Sequence, residues 1–429
     1  MKKLIALLLA LVMVLGLAAC GETAAPETTP AAGGETTEGT EGTEPAEEGT
    51  ALEDMIVGAI YITSKNDTAG YTYAHHNGIT TAMKELGMDP ETQLVIQDEI
   101  PDTDKEATLT AIDNLIGEGA NIIFGISFGY MDAMAEAAEE YPDVIFSHGT
   151  GSLSNETNFN NYFGRAYQAR YLAGIAAGLK SLELKNNNIG YVAAYGTQMA
   201  ETASGINGFA MGVLSVNPEA TIYVKELGTW ADEVNESAFA KELIESYKCG
   251  VISQHCDSAQ PQIAAQDAGV FGCGYNSDMT PDAPKAHLTA AIWNWNVYYG
   301  TAIQAAADCG EAANFVETMG GSAYYGGLAE GFVDVSPLSE NCAAGTEEAI
   351  EQVRELIVSG EWDVFSGVKL NITVAEDGTV TVEQVEAALV DNAGNEIVAA
   401  GGEALADYII VGSDPTDFMN YFVEGVKAA

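Results

Sequence analysis

Residues 93–149 contain, in order, "QLVIQDEI" (93–100), "DKEATLTAIDNLIGEG" (104–119), "NIIFGISF" (121–128), "YMDAMAEAAEEYP" (130–142) and "VIFSHG" (144–149). The first, third and fifth runs are apolar, rich in β-branched residues and of strand length, while the two between carry apolar residues at helical spacing. Near-continuous apolar strands alternating with amphipathic helices predict a parallel sheet covered on both faces.

The pattern extends in both directions. Upstream, "MIVGAIYIT" (55–63) reads as a strand, followed by the loop "GYTYAHHNG" (70–78) and a helix through Ala74, Ile79, Met83 and Leu86 that closes at Gly87. Downstream, the small-residue helix "AYQARYLAGIAAGLKSLELKN" (166–186) places Gly174 and Gly178 at i,i+4, a spacing suited to close packing. A second series then alternates strands "NIGYVAAYG" (188–196), "TIYVKEL" (221–227), "GVISQHC" (250–256) and "VFGCGYN" (270–276) with helices. Used twice, the same winding predicts an α/β protein of two doubly wound, Rossmann-like lobes. Ligands bind such sheets at the carboxyl ends of the strands, so two facing lobes share one cleft. The expected bounds are residues 53–163 plus about 290–330 for the N-terminal lobe, and 164–289 plus about 331–429 for the C-terminal one. Asp377-Gly378, between alternating runs, predicts a late hairpin.

Residues 1–20, "MKKLIALLLALVMVLGLAAC", have the lysines, apolar run and small residues of a secretory signal. Their end, "LAAC", resembles a lipobox and predicts lipidation of Cys20, with the rest of the chain outside the cytoplasmic membrane. Residues 21–52 are rich in Thr, Gly, Glu and Pro and read as a disordered acidic tether. With 16 Lys and Arg against 63 Asp and Glu, the formal charge of −47 argues against a nucleic-acid partner, because phosphates would be repelled. The cysteines left after Cys20 (Cys249, Cys256, Cys273, Cys309 and Cys342) lack CxxC spacing, so neither a zinc site nor a full disulfide framework is indicated.

Nucleotide-binding motifs are wanting: no GxxxxGK[ST] or strand-borne GxGxxG is present. His75 and His76 are adjacent rather than i,i+4, which disfavours a shared metal, and His255 and Cys256 alternate along a strand, which disfavours a catalytic pair. The strand-end loops are instead rich in rings, amides and carboxylates: Tyr71, Tyr73, Phe128, Tyr195, Trp230, "YNSD" (275–278) and "WNW" (293–295). Flat rings with a few polar groups suit a planar heterocycle or a sugar. No enzymatic activity, cofactor or metal is expected.

Together with "RYLAGIAAG", "INGFAMGVLSVNPEA", "SQHCDSAQPQIAAQDAGVFGCGYNSDM" and "PKAHLTAAIWNWNVYYG", these runs resemble, over residues 54–365, the basic membrane protein family of substrate-binding lipoproteins. The resemblance implies a type I periplasmic-binding-protein fold and a monomeric receptor that captures purine bases or nucleosides for an ABC permease and its ATPase. It places stacking rings at Tyr71 and Trp230, polar contacts at Asp257 and Asp278, and His75 behind the lip of the cleft, with Phe128 and Tyr195 among the lining rings. Where the nucleoside-binding branch has a lysine this chain has Trp293, which favours a free base such as adenine. A sensory receptor or a sugar receptor of the same fold stands as the alternative.

Overall fold

The computed structural model describes residues 49–67, 70–407 and 418–429. Cys20, the expected signal sequence and nearly all of the expected tether fall outside them. The chain opens with β1 (Val57–Tyr61), α1 (Gly70–Glu85), β2 (Leu94–Gln97), α2 (Lys105–Gly117), β3 (Ile122–Ile126), α3 (Met131–Glu140), β4 (Ile145–Gly149) and β5 (Phe159–Gly164). It continues through α4 (Ala166–Leu184), β6 (Asn188–Ala193), α5 (Ala200–Val216), β7 (Thr221–Glu226), α6 (Glu233–Glu245), β8 (Val251–His255), α7 (Gln260–Asp267), β9 (Phe271–Asn276) and β10 (His287–Trp293). After these come α8 (Trp295–Asp308), β11 (Ala323–Gly326), β12 (Val333–Val335) and α9 (Thr346–Val358). A tail of short strands ends the chain: β13 (Val368–Val374), β14 (Val380–Glu386), β15 (Leu389–Val390), β16 (Glu396–Val398) and β17 (Val426–Ala428).

Two sheets organise these elements. The first has the order β11-β5-β4-β3-β1-β2 and is wholly parallel; the second, β12-β10-β9-β8-β6-β7-β17, is parallel except for β12. In each, the chain moves from its first strand to one neighbour and then to the other, so a switch point lies between β1 and β3 and another between β6 and β8. The chain crosses between the sheets after Gly164, after Trp293 and between Gly326 and Val333.

Both faces of the first sheet are buried, as its apolar strands require. Ile60, Ile123 and Phe146 meet Ile112, Leu115 and Met134 of α2 and α3, while Ala59, Tyr61, Ile122 and Phe124 belong to the main core with α1 and α8. In the second sheet's layer, α4 lies against α5 at glycines. A Cβ on Gly174 would stand 2.2 Å from the Phe209 carbonyl oxygen, and one on Gly212 would stand 2.0 Å from that of Tyr171. Only hydrogen side chains permit this approach.

One correction concerns residues 70–78, which form the first turns of α1 rather than a loop. Their buried members, Thr72, His75, Gly78 and Ile79, recur every three or four residues, so the helix does bury a stripe. Three of those four are not strongly apolar, which hides the period from a hydrophobicity reading. The late hairpin forms as Asp377-Gly378 predicts, with Val374 opposite Val380 and Gly378 at φ +86°.

Candidate functional site

Because the strands of each sheet are parallel, their carboxyl ends gather on one edge, and the loops leaving them line a cavity of about 640 Å³. From the first sheet come Ile62 after β1, Tyr71 in the first turn of α1, Asp102, Ser127 and Phe128 after β3, Thr150 to Ser152 after β4, Phe163 and Tyr325. The second sheet contributes Tyr195 after β6, Gln198 to Glu201 leading into α5, Trp230 after β7, Asp257 after β8 and Tyr275 on β9. Both switch points therefore open into the cavity. Phe418, from the tail, completes the lining.

Rings are frequent in the walls, and Tyr71, Trp230 and Tyr275 are braced from behind. His75 lies buried under Tyr71 with ring centroids 4.2 Å apart, sandwiched against Trp295 at 3.9 Å, and its Nδ1 is 2.6 Å from the Tyr299 hydroxyl. The chain of hydroxyls continues from Tyr299 to Tyr162 at 2.7 Å. Burial holds His75 well below its ordinary pKa, so this shelf is neutral. On the other side Trp230 meets Tyr195 edge-on at 5.4 Å, and His255 lies beneath Trp230 and Tyr275. The backbone N–H of Asp257 donates to the Trp230 carbonyl at 3.0 Å, which ties the loops after β7 and β8 together.

Three carboxylates face the cavity, Asp102, Glu201 and Asp257, and among its described lining residues there is no Lys, Arg or His. Asp102 accepts from the Ser127 hydroxyl at 2.6 Å. Asp257 accepts from Asn276 Nδ2 at 3.1 Å, yet burial and then the charge of Glu236 push its carboxyl up to about 7. Burial and then Asp257 push Glu201 up to about 7 as well, with Arg170 opposing. That arginine is buried beneath the second wall, its guanidinium 4.0 Å from the Tyr275 ring centroid and donating to the Gln254 carbonyl. The site thus offers acceptors and protonatable acids to a ligand, and repels added negative charge.

Of the residues singled out in the sequence, the structure brings Tyr71, Phe128, Tyr195, Trp230 and Asp257 into these walls. His75 sits one layer behind. Trp293 is buried and stacked on Trp295 at 4.7 Å, its Nε1 donating to the Tyr275 hydroxyl at 3.3 Å, so it braces the wall without lining it. Asp278 lies outside too, accepting at 2.9 Å from the Thr280 backbone N–H, with His287 Nε2 3.4 Å away, in an exposed turn. Tyr275, of the strand-end run 275–278, is a wall residue too, and sequence reading missed Glu201, Tyr325, Phe163 and Phe418. Glu201 and Tyr275 follow or end recognised strands, so strand-end position marked them; nothing in the local sequence marks Phe418. The five cysteines of the described residues are unpaired.

The Bmp family, described as PnrA-like ABC transporter substrate-binding proteins, matches residues 55–366. The chain belongs to this family. A Haloferax volcanii relative, TsgA13, named as an ABC transporter glucose-binding protein, is 36% identical over 58% of this Bmp protein and 59% of its own length, so the chain spans less than two thirds of it. A purine-binding protein of Brucella abortus is 32% identical over 74% of this chain and 85% of its own. The fold is that of an ABC transporter solute-binding protein from Conexibacter woesei, which aligns with a TM-score of 0.55 at 17% identity, covering 72% of this chain and 98% of the other. Membership of the Bmp family makes the chain a substrate-binding receptor rather than an enzyme. Among the described residues no helix is long and apolar enough to cross a membrane.

Proposed function

We propose that this protein captures a purine, as free base or nucleoside, outside the cytoplasmic membrane and delivers it to an ABC permease and ATPase. The observation that carries the reading is a cavity walled by rings from both sheets, with three carboxylates and no cation among its described lining residues. Stacked rings hold a flat heterocycle at about 1–3 kcal/mol per face, and Asp257, Glu201 and Asp102 accept from its N–H or hydroxyl groups. Phosphate is disfavoured, so nucleotides are excluded. The purine-binding relative supports the same reading.

Preference for a free base draws on Trp293, whose indole lies behind Tyr275 rather than in the cavity. A cavity of about 640 Å³ leaves room for a ribose, and the base and its nucleoside are treated as one class. Lobe closure follows if the ligand bridges both walls, with the open form prevailing without it. Lipidation of Cys20 rests on the sequence "LAAC" and a monomeric state on the family resemblance. A sugar is the second reading, favoured by the glucose-binding name of TsgA13 and by rings flanked with carboxylates.

The test is calorimetric titration of protein stripped by unfolding and refolding, with adenine, adenosine, guanosine, AMP and glucose. Micromolar or tighter binding of adenine or a nucleoside, with AMP silent, is expected. Heat from glucose alone would replace the purine reading with the sugar reading.

A further inference from the structure

Residues 367–429 lie beyond the family-matched part of the chain. Yet the second lobe is adapted to them. Asn207, fully buried in the middle of α5, donates from Nδ2 to the Tyr421 carbonyl at 2.9 Å and accepts at Oδ1 from the Val423 N–H at 2.9 Å. Without the tail, that amide would be a buried polar group lacking both partners, a costly arrangement. β17 then adds a parallel strand at the β7 edge, pairing Val426 with Ile222.

A second attachment stands where the sheets join. Asp407 receives a two-pronged contact from Arg165, Nε to Oδ1 at 3.1 Å and Nη2 to Oδ2 at 2.8 Å. Arg165 occupies the crossing from β5 to α4, and its own N–H donates to the Gly326 carbonyl, on the crossing from β11 to β12, at 2.7 Å. Tyr325, a cavity-wall residue, is raised in pKa by burial and then by the Asp407 charge, which sets that carboxylate beside the wall. Docking at Asn207 holds the end of the chain where Phe418 enters the cavity, the only ring among its described lining residues that comes from outside the family-matched region.

We infer that Phe418, from the C-terminal end of the chain, is part of the ligand site and a specificity-determining residue that sets how large a purine the cavity accepts. The inference deepens the purine reading and rests on it for the identity of the ligand. A phenyl ring in the wall occupies space that a sugar or a ring substituent would otherwise take, so it acts on selectivity between ligands more than on the affinity for the smallest. Tyr71, by contrast, stacks on what all purines share.

The experiment compares the full chain with its Phe418→Ala and Phe418→Leu variants. It reads the ratio of adenosine to adenine Kd by calorimetry, Tm, and hydrogen exchange of the ligand-free protein at residues 127–128 and 198–201. Phe418→Ala is expected to move the ratio at least fivefold toward adenosine with Tm nearly constant, Phe418→Leu to move it less, and exchange at the cavity loops to quicken. An unchanged ratio together with unchanged exchange overturns the inference and leaves the tail a lobe extension. Should the wild type bind no purine, the purine reading fails by itself and exchange decides: quickening in Phe418→Ala retains the ring as part of the site, and no change removes it.

Discussion

Behind Tyr71 the first lobe stacks His75, Tyr299 and Tyr162, neutral groups linked by contacts of 2.6 and 2.7 Å. Behind Trp230 and Tyr275 the second sheet stacks His255 and Arg170, beside Glu201 and Asp257. Both sheets are wound alike, so the contrast comes from side chains and not from topology. It teaches a division of labour: behind its ring one wall stacks buried groups that stay neutral, and the other sets its rings against two raised acids and a buried cation. A ligand recognised by both walls needs a flat face and hydrogen-bond donors.

Each wall depends on a helix pair closed at a glycine, and this is where the largest effect is expected. A Cβ on Gly212 meets a backbone carbonyl oxygen at 2.0 Å, whereas one on Gly78 meets the Trp295 Cβ half an ångström farther off, at 2.5 Å. Gly212→Ala should cost about 3 kcal/mol and Gly78→Ala about 1 kcal/mol, measured by urea unfolding. Equal costs would mean that the two pairs are equally pliant.

Ligand affinity separates the walls next. Asp257→Ala removes an acceptor from the second wall and should weaken adenine by about 30-fold, the equivalent of about 2 kcal/mol. Tyr71→Ala should cost about tenfold through lost stacking, and Tyr71→Phe almost nothing, because the ring rather than the hydroxyl makes the contact. Calorimetry on the three variants checks the order. A larger loss from Tyr71→Ala than from Asp257→Ala would invert the ranking of the two walls.

The winding was legible because strands buried on both faces need unbroken apolar runs, as in "NIIFGISF" and "VIFSHG", and the cleft followed from where parallel strands end. β5, "FNNYFG", and β11, "AYYG", were not legible: their polar Asn160 and Asn161 and their brevity carry no strand signal, and Asn160 is tolerated only because it bonds Tyr298 across the core at 3.0 Å. Strand-end position was enough to find Tyr71, Tyr195, Trp230 and Asp257. It misjudged Trp293, since whether a strand-end ring faces the cleft or the layer behind depends on Trp295 and Tyr275 in space. Phe418 is carried by a tail whose docking on Asn207 and Arg165 leaves no mark on the local sequence.

The smallest effect concerns pH, where the raised acids of the cavity and the buried histidines should pull in opposite directions. Glu201 and Asp257 are raised to about 7, so between about pH 4 and 7 the folded protein holds protons that the unfolded chain has released, and stability falls as pH rises. His75 is held well below its ordinary pKa and His148 near about 4, both by burial, so below about pH 6.5 the unfolded chain takes up protons that the fold refuses, and stability falls as pH drops. Glu201→Gln removes only the share of the first slope that Glu201 contributes, leaving that of Asp257. Relative to wild type, its stability should therefore improve from pH 5 to pH 8, by about 1 kcal/mol once the openness of the cavity to water is discounted, or a Tm gain of about 2–4 °C. The groups facing Glu201 are Asp257, His255 at 3.7 Å and the Arg170 guanidinium, so the gain reports on that cluster alone. A pH-independent offset would mean that Glu201 is ionised throughout, as fixed a feature of its wall as the phenols are of the other. If the gain appears, a ligand that donates to Glu201 must displace a proton near neutral pH, and adenine binding should then release protons that titrations in buffers of different ionisation enthalpy detect.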